Sequence, residues 1–550
     1  MGYHGRMLEN FDPTSIPDES LRAIVLLLMN EVERLSGEVR DLKEEVQRLR
    51  DENRRLKGEQ GKPVIRPMTP LPSLSSEKER HVPRPHRKRA KKGQVTVDRQ
   101  EIRRVDRQIL PPDAEFKGYV DVVVQDVAFA TDNVLFRKEK FYSPNEKRTY
   151  LADLPAGYDG EFGPGVKAWI LSLAYASGVS QPKIKELLQT VGLTISAGEI
   201  SNVLIKNREV FHQERQDILQ AGLASTAWQH LDSTATRVYG QNYHCHVLCN
   251  PFYTAYCTLP SKDRVSMVCA LLGRRTPAFM LNDVALELLH VVGVPQKWVR
   301  QVIALLPWAH EITEDMLMAL LSTAAPPLPW YVARMVRDAL AVSFYRTQSR
   351  VPVVPLLIVD DAAQFNLLTE ELALCWVHEW RHYKKLEPRL EFHRWCLDTF
   401  ADAFWTLYRR LLAYRQHPTA AEAAALTSAF DTLFTTPTCY GQLDHRARLT
   451  LAKKEHLLQV LRHPEIPLHN NPAELGARQR VRKRDVSLAA RTAEGVNAWD
   501  TFQTLVETAK KLGVNITAYL RDRLTGRPAL PSLASLIAHH AATAAHSCAA

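Results

Sequence analysis

Three acidic residues have the type and spacing that phosphoryl chemistry needs. Asp232 lies in WQHLDSTATRV, Asp360 ends the run VPVVPLLIVD, and Glu474 follows NNPA near the start of a late helical segment. Carboxylates are hard oxygen donors, suited to Mg²⁺, which keeps several of its waters. Brought together, they would hold two Mg²⁺ ions about 3.5–4 Å apart, one activating the attacking oxygen and one stabilising the leaving oxygen. Asp361 adjoins Asp360 and is an alternative second ligand. Structural readings stand beside the catalytic one. Asp232 fits a solvated strand acid. Asn471 as N-cap, Pro472 at N1 and Glu474 at N3 make a capping-box-like start, with Arg478 as the i+4 partner of Glu474.

Other spacings offer rival chemistry. HEWRH (378–382) matches the HExxH zinc-protease helix. The extended form of that motif needs Gly and His where Lys385 and Pro388 stand, which argues against it. His244, Cys245, His246 and Cys249 are metal-ligand types, but strand alternation puts 244 and 246 on one face and 245 and 249 on the other. They read as strand residues. Two basic clusters are candidates for phosphate contact. One is Arg84, Arg87, Lys88, Arg89, Lys91 and Lys92; the other is Arg478, Arg480, Arg482, Lys483 and Arg484, following Glu474. Such runs bind phosphates without reading sequence, or are merely solvated.

These residues need elements to position them. The order strand–strand–helix for Asp–Asp–Glu is the layout of an RNase H-like nuclease core. The expected fold is therefore a multidomain α/β protein. Its core would be a mixed sheet with flanking helices over 223–525, with helical insertions at about 273–350 and 383–468. In the core, WQHLDSTATRVYGQNYHCHVLCNPFYTAYCTLP reads as three strands with turns at Gly240-Gln241-Asn242 and Asn250-Pro251. Residues about 370–465 read as helical. Upstream, Leu28, Leu35, Leu42, Leu49 and Leu56 recur every seventh residue, and Val25, Val32, Val39, Val46 and Asn53 precede each by three. Val at a, Leu at d and one Asn at a favour a parallel two-stranded coiled coil over 18–58, hence a homodimer. Residues 59–110 are a basic linker. Residues 111–160 are a small β unit with strands from Tyr119 and a turn at Ser143-Pro144-Asn145. Residues 161–222 are helical, with Ser180 and Ser196 as caps, and read as a helix-turn-helix or an ordinary bundle. Residues 526–550 are a tail.

Composition limits the class. The 550 residues are 45% hydrophobic and 24% charged, as in folded soluble proteins. The net charge is +10, and residues 80–107 hold 11 Lys/Arg against three acids, which points to a polyanionic partner. Eight Cys without a CxxC pair disfavour disulfide scaffolds and thiolate zinc ribbons and point to a reducing cytoplasm. No apolar run reaches the roughly 18 residues of a membrane span. There is no GxxxxGK[ST] loop, so a P-loop NTPase is disfavoured.

The chain resembles the insertion sequence 66 family of DDE transposases. The resemblance is carried by FGPGVKAWILSLAYASGVSQPKIKELLQTVGLTISAGEI (162–200), LDSTATRV (231–238), VDDAAQFNLLTEELALCWVHEWRHYKK (359–385), IPLHNNPAELGARQRVRKRDV (466–486) and GVNAWDTFQTLVETAKKLGVN (495–515), with the N-terminal zipper. It implies catalytic, metal-holding Asp232, Asp360 and Glu474. The cofactor is two Mg²⁺, with Mn²⁺ as a substitute. Double-stranded DNA, both transposon ends and target, is the implied partner, with no membrane. The implied location is the bacterial cytoplasm, at the nucleoid. The segment CWVHEWRH becomes a Trp–His–Arg helix whose His378 and Arg381 join the nucleic-acid set. The implied reaction is cleavage at transposon ends and joining of the 3′-OH to target DNA. A catalytically decayed or domesticated DNA-binding protein of the same origin is the alternative. The chain departs from the family at 141–150, FYSPNEKRTY, where the family carries a CxxC zinc module and this chain has no Cys. Zinc is therefore not expected.

Overall fold

The computed structural model describes residues 11–56 and 97–549, except 112, 128, 159, 488 and 489. The basic cluster at 84–92 lies outside the described residues. The chain divides into one unit of residues 1–68, 153–184 and 196–550, and a second of 69–152 with 185–195.

In the second unit, strands β1 (Lys140–Ser143) and β2 (Arg148–Leu151) pair antiparallel across the expected turn. The strand expected from Tyr119 does not form. Val120, Val122 and Val124 fall on one face of the alternation but stand exposed, and among the described residues no strand pairs with this stretch. Alternation alone does not stabilise a strand without a ladder.

The larger unit begins with α1 (Glu19–Leu56). After α2 (Pro164–Leu171), α3 (Gln181–Thr190), which straddles the two units, α4 (Ala197–Ile205, capped by Ser196) and α5 (Glu209–Ala224) comes the sheet. Its strands are β3 (Trp228–Val238), β4 (Gln241–Cys249), β5 (Thr254–Leu259), β6 (Leu356–Val359) and β7 (Glu371–Leu374), in the order β5-β4-β3-β6-β7. The first three form an antiparallel meander, and β6 and β7 run parallel to β3. The protein is thus α/β with a mixed sheet. Tyr239 and Gly240 take positive φ (51° and 74°), as a two-residue hairpin turn between β3 and β4 requires. β6 is buried along its whole length, as its apolar β-branched run implies.

Helices fill the gaps. Between β5 and β6 lie α6 (Arg264–Leu271), α7 (Asp283–Val291), α8 (Gln296–Leu305), α9 (Glu314–Ser322) and α10 (Trp330–Thr347). After β7 come α11 (Trp376–Tyr383), α12 (Glu391–Tyr414), α13 (Ala420–Thr435) and α14 (Gly441–Leu451). Then α15 (Asn471–Ser487), α16 (Ala493–Lys511), α17 (Ile516–Leu524) and α18 (Leu533–Ala549) close the chain. Two expectations are corrected here. Residues 371–374, read as helical, are β7: Glu, Leu and Ala favour helix, but pairing with β6 outweighs that weak preference. The tail is not featureless, because Leu533 and Ile537 on α18 are fully buried.

Two helices lock the sheet. α15 lies close over β4 and β5 at Gly476. A Cβ there would fall 2.7 Å from Val247 Cγ1, and the Tyr256 hydroxyl donates to Gly476 O at 3.0 Å. α16 satisfies the outer edge of β5. Asp500, Thr504 and Thr508 accept from the backbone N–H groups of Thr258, Tyr256 and Thr254 at 2.7, 3.1 and 3.2 Å. Four helical residues rise about 6 Å and two strand residues about 6.6 Å, so the spacings match. The edge strand is thereby closed to further pairing.

Candidate active site

Asp232 sits on β3, and its carboxylate accepts from Ser233 N at 2.7 Å. Asp360 follows the last residue of β6, and its carboxylate accepts from Ala362 N at 3.1 Å. Glu474 lies in the first turn of α15. The three converge. Burial pushes the Asp232 carboxyl up to about 7, and the charges of Asp360 and Glu474 add to the rise. A neighbouring negative charge in a dry site disfavours ionisation of a carboxyl such as Asp232.

Asn470 fixes the meeting of these elements. It is fully buried, its Nδ2 donates to Leu231 O at 2.9 Å, and its Oδ1 lies 2.9 Å from His230 Nδ1. Its backbone N–H reaches Cys375 Sγ at 3.2 Å, and its carbonyl accepts the first helical bond from Glu474 N at 3.2 Å. One side chain therefore ties β3 to the start of α15. Asn470, rather than Asn471, precedes the helix. The capping-box reading of Glu474 fails, because the Glu474 side chain pairs across to α11 and not with Arg478.

α11 supplies the cationic wall. Arg381 Nη2 donates to Glu474 Oε2 and Oε1 at 3.0 and 3.2 Å, and Arg381 Nη1 donates to His378 Nε2 at 2.7 Å. Since guanidinium cannot accept, His378 Nε2 must be the acceptor and the ring is neutral. Burial holds the His378 pKa below its usual value, Arg381 lowers it further, and Glu474 opposes both. His378 Nδ1 and Arg381 Nε are buried without a hydrogen-bond partner. The opposite face of α11 is held by aromatic packing. Trp376 touches Phe404 and Phe430, and Tyr383 stacks on Phe400. The helical segment after β7 thus aims His378 and Arg381 at the carboxylates.

Asp361 points elsewhere. It pairs with Lys453, whose Nζ also lies 3.1 Å from Glu379, and Glu379 pairs with Arg446 and accepts from Thr450 at 2.6 Å. Burial alone would raise Glu379, but the Thr450 and Arg446 hydrogen bonds, with Lys453, outweigh it and hold its carboxyl below the ordinary range. Among the described residues, Asp361, Glu379 and His382 bring ligand-type atoms within 4.8 Å of one another, enough to attract a divalent ion. The Lys453 ammonium already supplies that positive charge. Glu379 is 2% exposed and fully paired, so it is not the free base an HExxH protease requires. Cys245 and Cys249 are buried strand residues, and His246 is bonded to Ser233 and Ser261.

The basic residues of α15 separate by burial. Arg480 is 1% exposed and bound to Asp500, Gln503 and Thr258. Lys483 is 8% exposed and donates to Ala174 O at 2.6 Å. Both are corrected from phosphate contacts to interior links. Arg484 donates to Ala235 O at 2.6 Å and stays partly exposed. Arg478 is half-buried and Arg482 exposed. Asn470, Lys453 and Arg446 went unread in the sequence. Asn470 alone had a signal there: a second Asn before the helix-starting Asn-Pro, which one N-cap does not explain.

The carboxylate donor set fits a hard divalent cation. The three carboxylates offer the hard oxygen donors such an ion takes, with Arg381 and His378 beside Glu474 and their Nε and Nδ1 lacking hydrogen-bond partners. Among the described residues, no helix is long and apolar enough to cross a membrane. Residues 322–498 match the family model described as "Transposase IS66 family". That stretch includes Asp360, His378, Arg381 and Glu474, while Asp232 precedes it. A relative from Sinorhizobium fredii (strain NBRC 101917 / NGR234), described as "Uncharacterized protein y4jO", is 30% identical over 326 residues, covering 58% of this chain and 99% of that protein. The chain belongs to the IS66 family of transposases.

Proposed function

We propose that the chain cuts the ends of a transposable DNA element and joins the freed 3′-OH to target DNA, using an RNase H-like core. Asp232, Asp360 and Glu474 would hold two Mg²⁺ ions, with Mn²⁺ as a substitute. When bound, such ions activate the attacking oxygen and stabilise the leaving one. The observation carrying the reading is the convergence of three carboxylates from β3, the end of β6 and the first turn of α15. The strand order, an antiparallel meander extended by two parallel strands, supports the fold.

The chain's own residues have distinct parts. Asn470 fixes Glu474 relative to β3. Arg381 donates to Glu474, and His378 accepts from Arg381 and orients it. Arg478, Arg482 and Arg484 meet DNA phosphates, and the basic arm at 84–92 adds contacts that do not depend on sequence. Residues 161–222 form a helical DNA-binding region. α1 pairs with a second copy through its a/d seam, since Leu28, Val32, Leu35, Val39, Leu42, Val46 and Leu49 are all exposed.

The test is cleavage and joining of DNA bearing the element's own ends by the purified chain with Mg²⁺. The reading expects nicking at the 3′ ends that chelation stops and that Asp232→Asn, Asp360→Asn and Glu474→Gln each abolish. DNA binding without cleavage under all conditions would leave a decayed, DNA-binding descendant.

A further inference from the structure

The Arg381–Glu474 contact has an unusual form. Arginine usually meets a carboxylate with two nitrogens on two oxygens. Here one nitrogen, Nη2, is shared between both oxygens of Glu474 at 3.0 and 3.2 Å. Nη1 is spent on His378, and Nε is buried without a partner. The second neighbour of Glu474 adds no donor, because His378 Nε2, 3.5 Å from Oε1, already accepts from Arg381. The guanidinium is thus held at the carboxylates with only part of its fork used. A phosphate offers several oxygens to a planar fork and would satisfy it better.

We infer that Arg381 and a divalent cation compete for Glu474, and that a DNA phosphate relieves the competition by drawing the guanidinium away. This rests on the reading of Glu474 as a metal ligand. A cation needs a Glu474 oxygen, and Arg381 takes both. Two positive charges at one carboxylate also repel. Without DNA, Arg381 weakens cation binding. With DNA, the guanidinium has a better acceptor nearby, and Glu474 is freed. The coupling is reciprocal: DNA tightens cation binding by the factor by which the cation tightens DNA binding. The arrangement keeps the site poorly loaded until the substrate arrives.

The experiment titrates the full-length chain with Mn²⁺, reading the free ion by electron paramagnetic resonance, with and without a short DNA duplex. Without duplex, Arg381→Gln should bind Mn²⁺ about tenfold more tightly than the native chain, within the usual range of site–site coupling. Duplex should tighten Mn²⁺ binding to the native chain by a larger factor than to Arg381→Gln. Equal affinities of the two proteins, or an equal duplex factor, would overturn the inference. If Arg381→Gln does not fold, Arg381→Lys keeps the charge but loses the planar fork. It should show a smaller tightening in the same direction, and native affinity in that variant would overturn the inference too. Glu474→Gln is the separate control. If it binds Mn²⁺ like the native chain, Glu474 is no ligand, and the proposed catalytic trio fails together with this competition.

Discussion

Asp232 and Asp360 stand side by side across parallel strands. The last pair of β3 and β6 is His230 with Ile358, so each acid lies two residues beyond it. The pleat turns both to the same side. Two acids so placed on neighbouring strands gain nothing in stability from each other. Their juxtaposition has a cost, and the cost is measurable.

Asp232→Asn should stabilise the chelated protein at neutral pH while abolishing cleavage. The Asp232 carboxyl is pushed up to about 7, mainly by burial. A carboxyl whose folded pKa lies above its unfolded value contributes stability that is full below the unfolded pKa. That contribution is lost as pH rises through the folded one. The advantage of Asp232→Asn should therefore be absent near pH 3, grow between about pH 4 and 7, and level off above, at an order of 1–3 kcal/mol. Thermal melts in EDTA across that range check it. A lower melting temperature at pH 8 would make Asp232 a structural acid.

Asp360 and Asp361 should respond oppositely. Asp361 belongs to the Lys453–Glu379–Arg446 network and Asp360 to the carboxylate trio. Asp361→Asn should keep cleavage and lose at most about 1 kcal/mol, because its ion pair is partly exposed at 40%. Asp360→Asn should fold as the native chain and cleave nothing. Dead Asp361→Asn beside active Asp360→Asn would exchange the two roles.

The sheet was legible because its signals are local, whereas the three acids stood out by position and only the family resemblance singled them out together. An apolar run ending in Asp makes a buried strand with an acid at its end, and a Gly-containing turn between alternating runs makes a hairpin. β7 was not legible, since ELAL favours helix and only the neighbouring β6 makes it a strand. Basic spacing on α15 also misled. Arg480 and Lys483 lie one turn apart on the face that meets α16 and the π-helical turn Ser172–Ala176 after α2, where Asp500 and the Ala174 carbonyl receive them. Sequence shows a cation, but burial decides whether it meets phosphate or protein.

That distinction gives a third prediction. Arg478→Gln and Arg482→Gln should weaken binding to all DNA sequences and flatten the slope of log affinity against log salt by about 0.9 per lost contact. Lys483→Met should leave the slope unchanged. Burial, aided by Arg480, lowers the Lys483 ammonium to about 8. A lysine with a depressed folded pKa contributes stability that is full above its unfolded pKa and lost as pH falls through the folded one. Lys483→Met should therefore gain most over the native chain below about pH 8. A flattened salt slope for Lys483→Met would return that residue to the DNA surface.

The edge of β5 provides a fourth. Thr504→Val removes the acceptor for Tyr256 N–H and should cost about 1–3 kcal/mol, the price of one unpaired buried donor. Asp500→Asn should cost more, about 3–5 kcal/mol, because Arg480 is left buried beside a neutral group. Denaturant melts of both variants check the order. Thr504→Val more damaging than Asp500→Asn would mean that the edge bond, not the Arg480 pair, holds α16.

The last prediction separates two faces of α1. One face docks on the body of its own unit. Met29 is 2% exposed, and Asn30 accepts from Gly441 N at 2.7 Å and donates to Cys439 O at 3.2 Å. Glu33 accepts from Arg389 N and Leu390 N at 2.7 and 3.2 Å, capping the start of α12, which has no side-chain cap of its own. The a/d residues from Leu28 to Leu49 stay exposed, while Val25 is partly buried. Glu33→Ala should therefore lower stability by about 0.5–2 kcal/mol, as loss of an N-cap does, and leave the oligomeric state unchanged. Leu35→Glu with Leu42→Glu should do the reverse, giving monomers in sedimentation with the core melting as before, because charges at d positions break only the pairing seam. The isolated 18–58 peptide should sediment as a dimer at tens of micromolar, since its five heptads exceed the roughly three to four of a sustained coiled coil. A monomeric peptide, or a full-length Leu35→Glu, Leu42→Glu variant that stays dimeric, would show that the exposed seam is not where two copies meet.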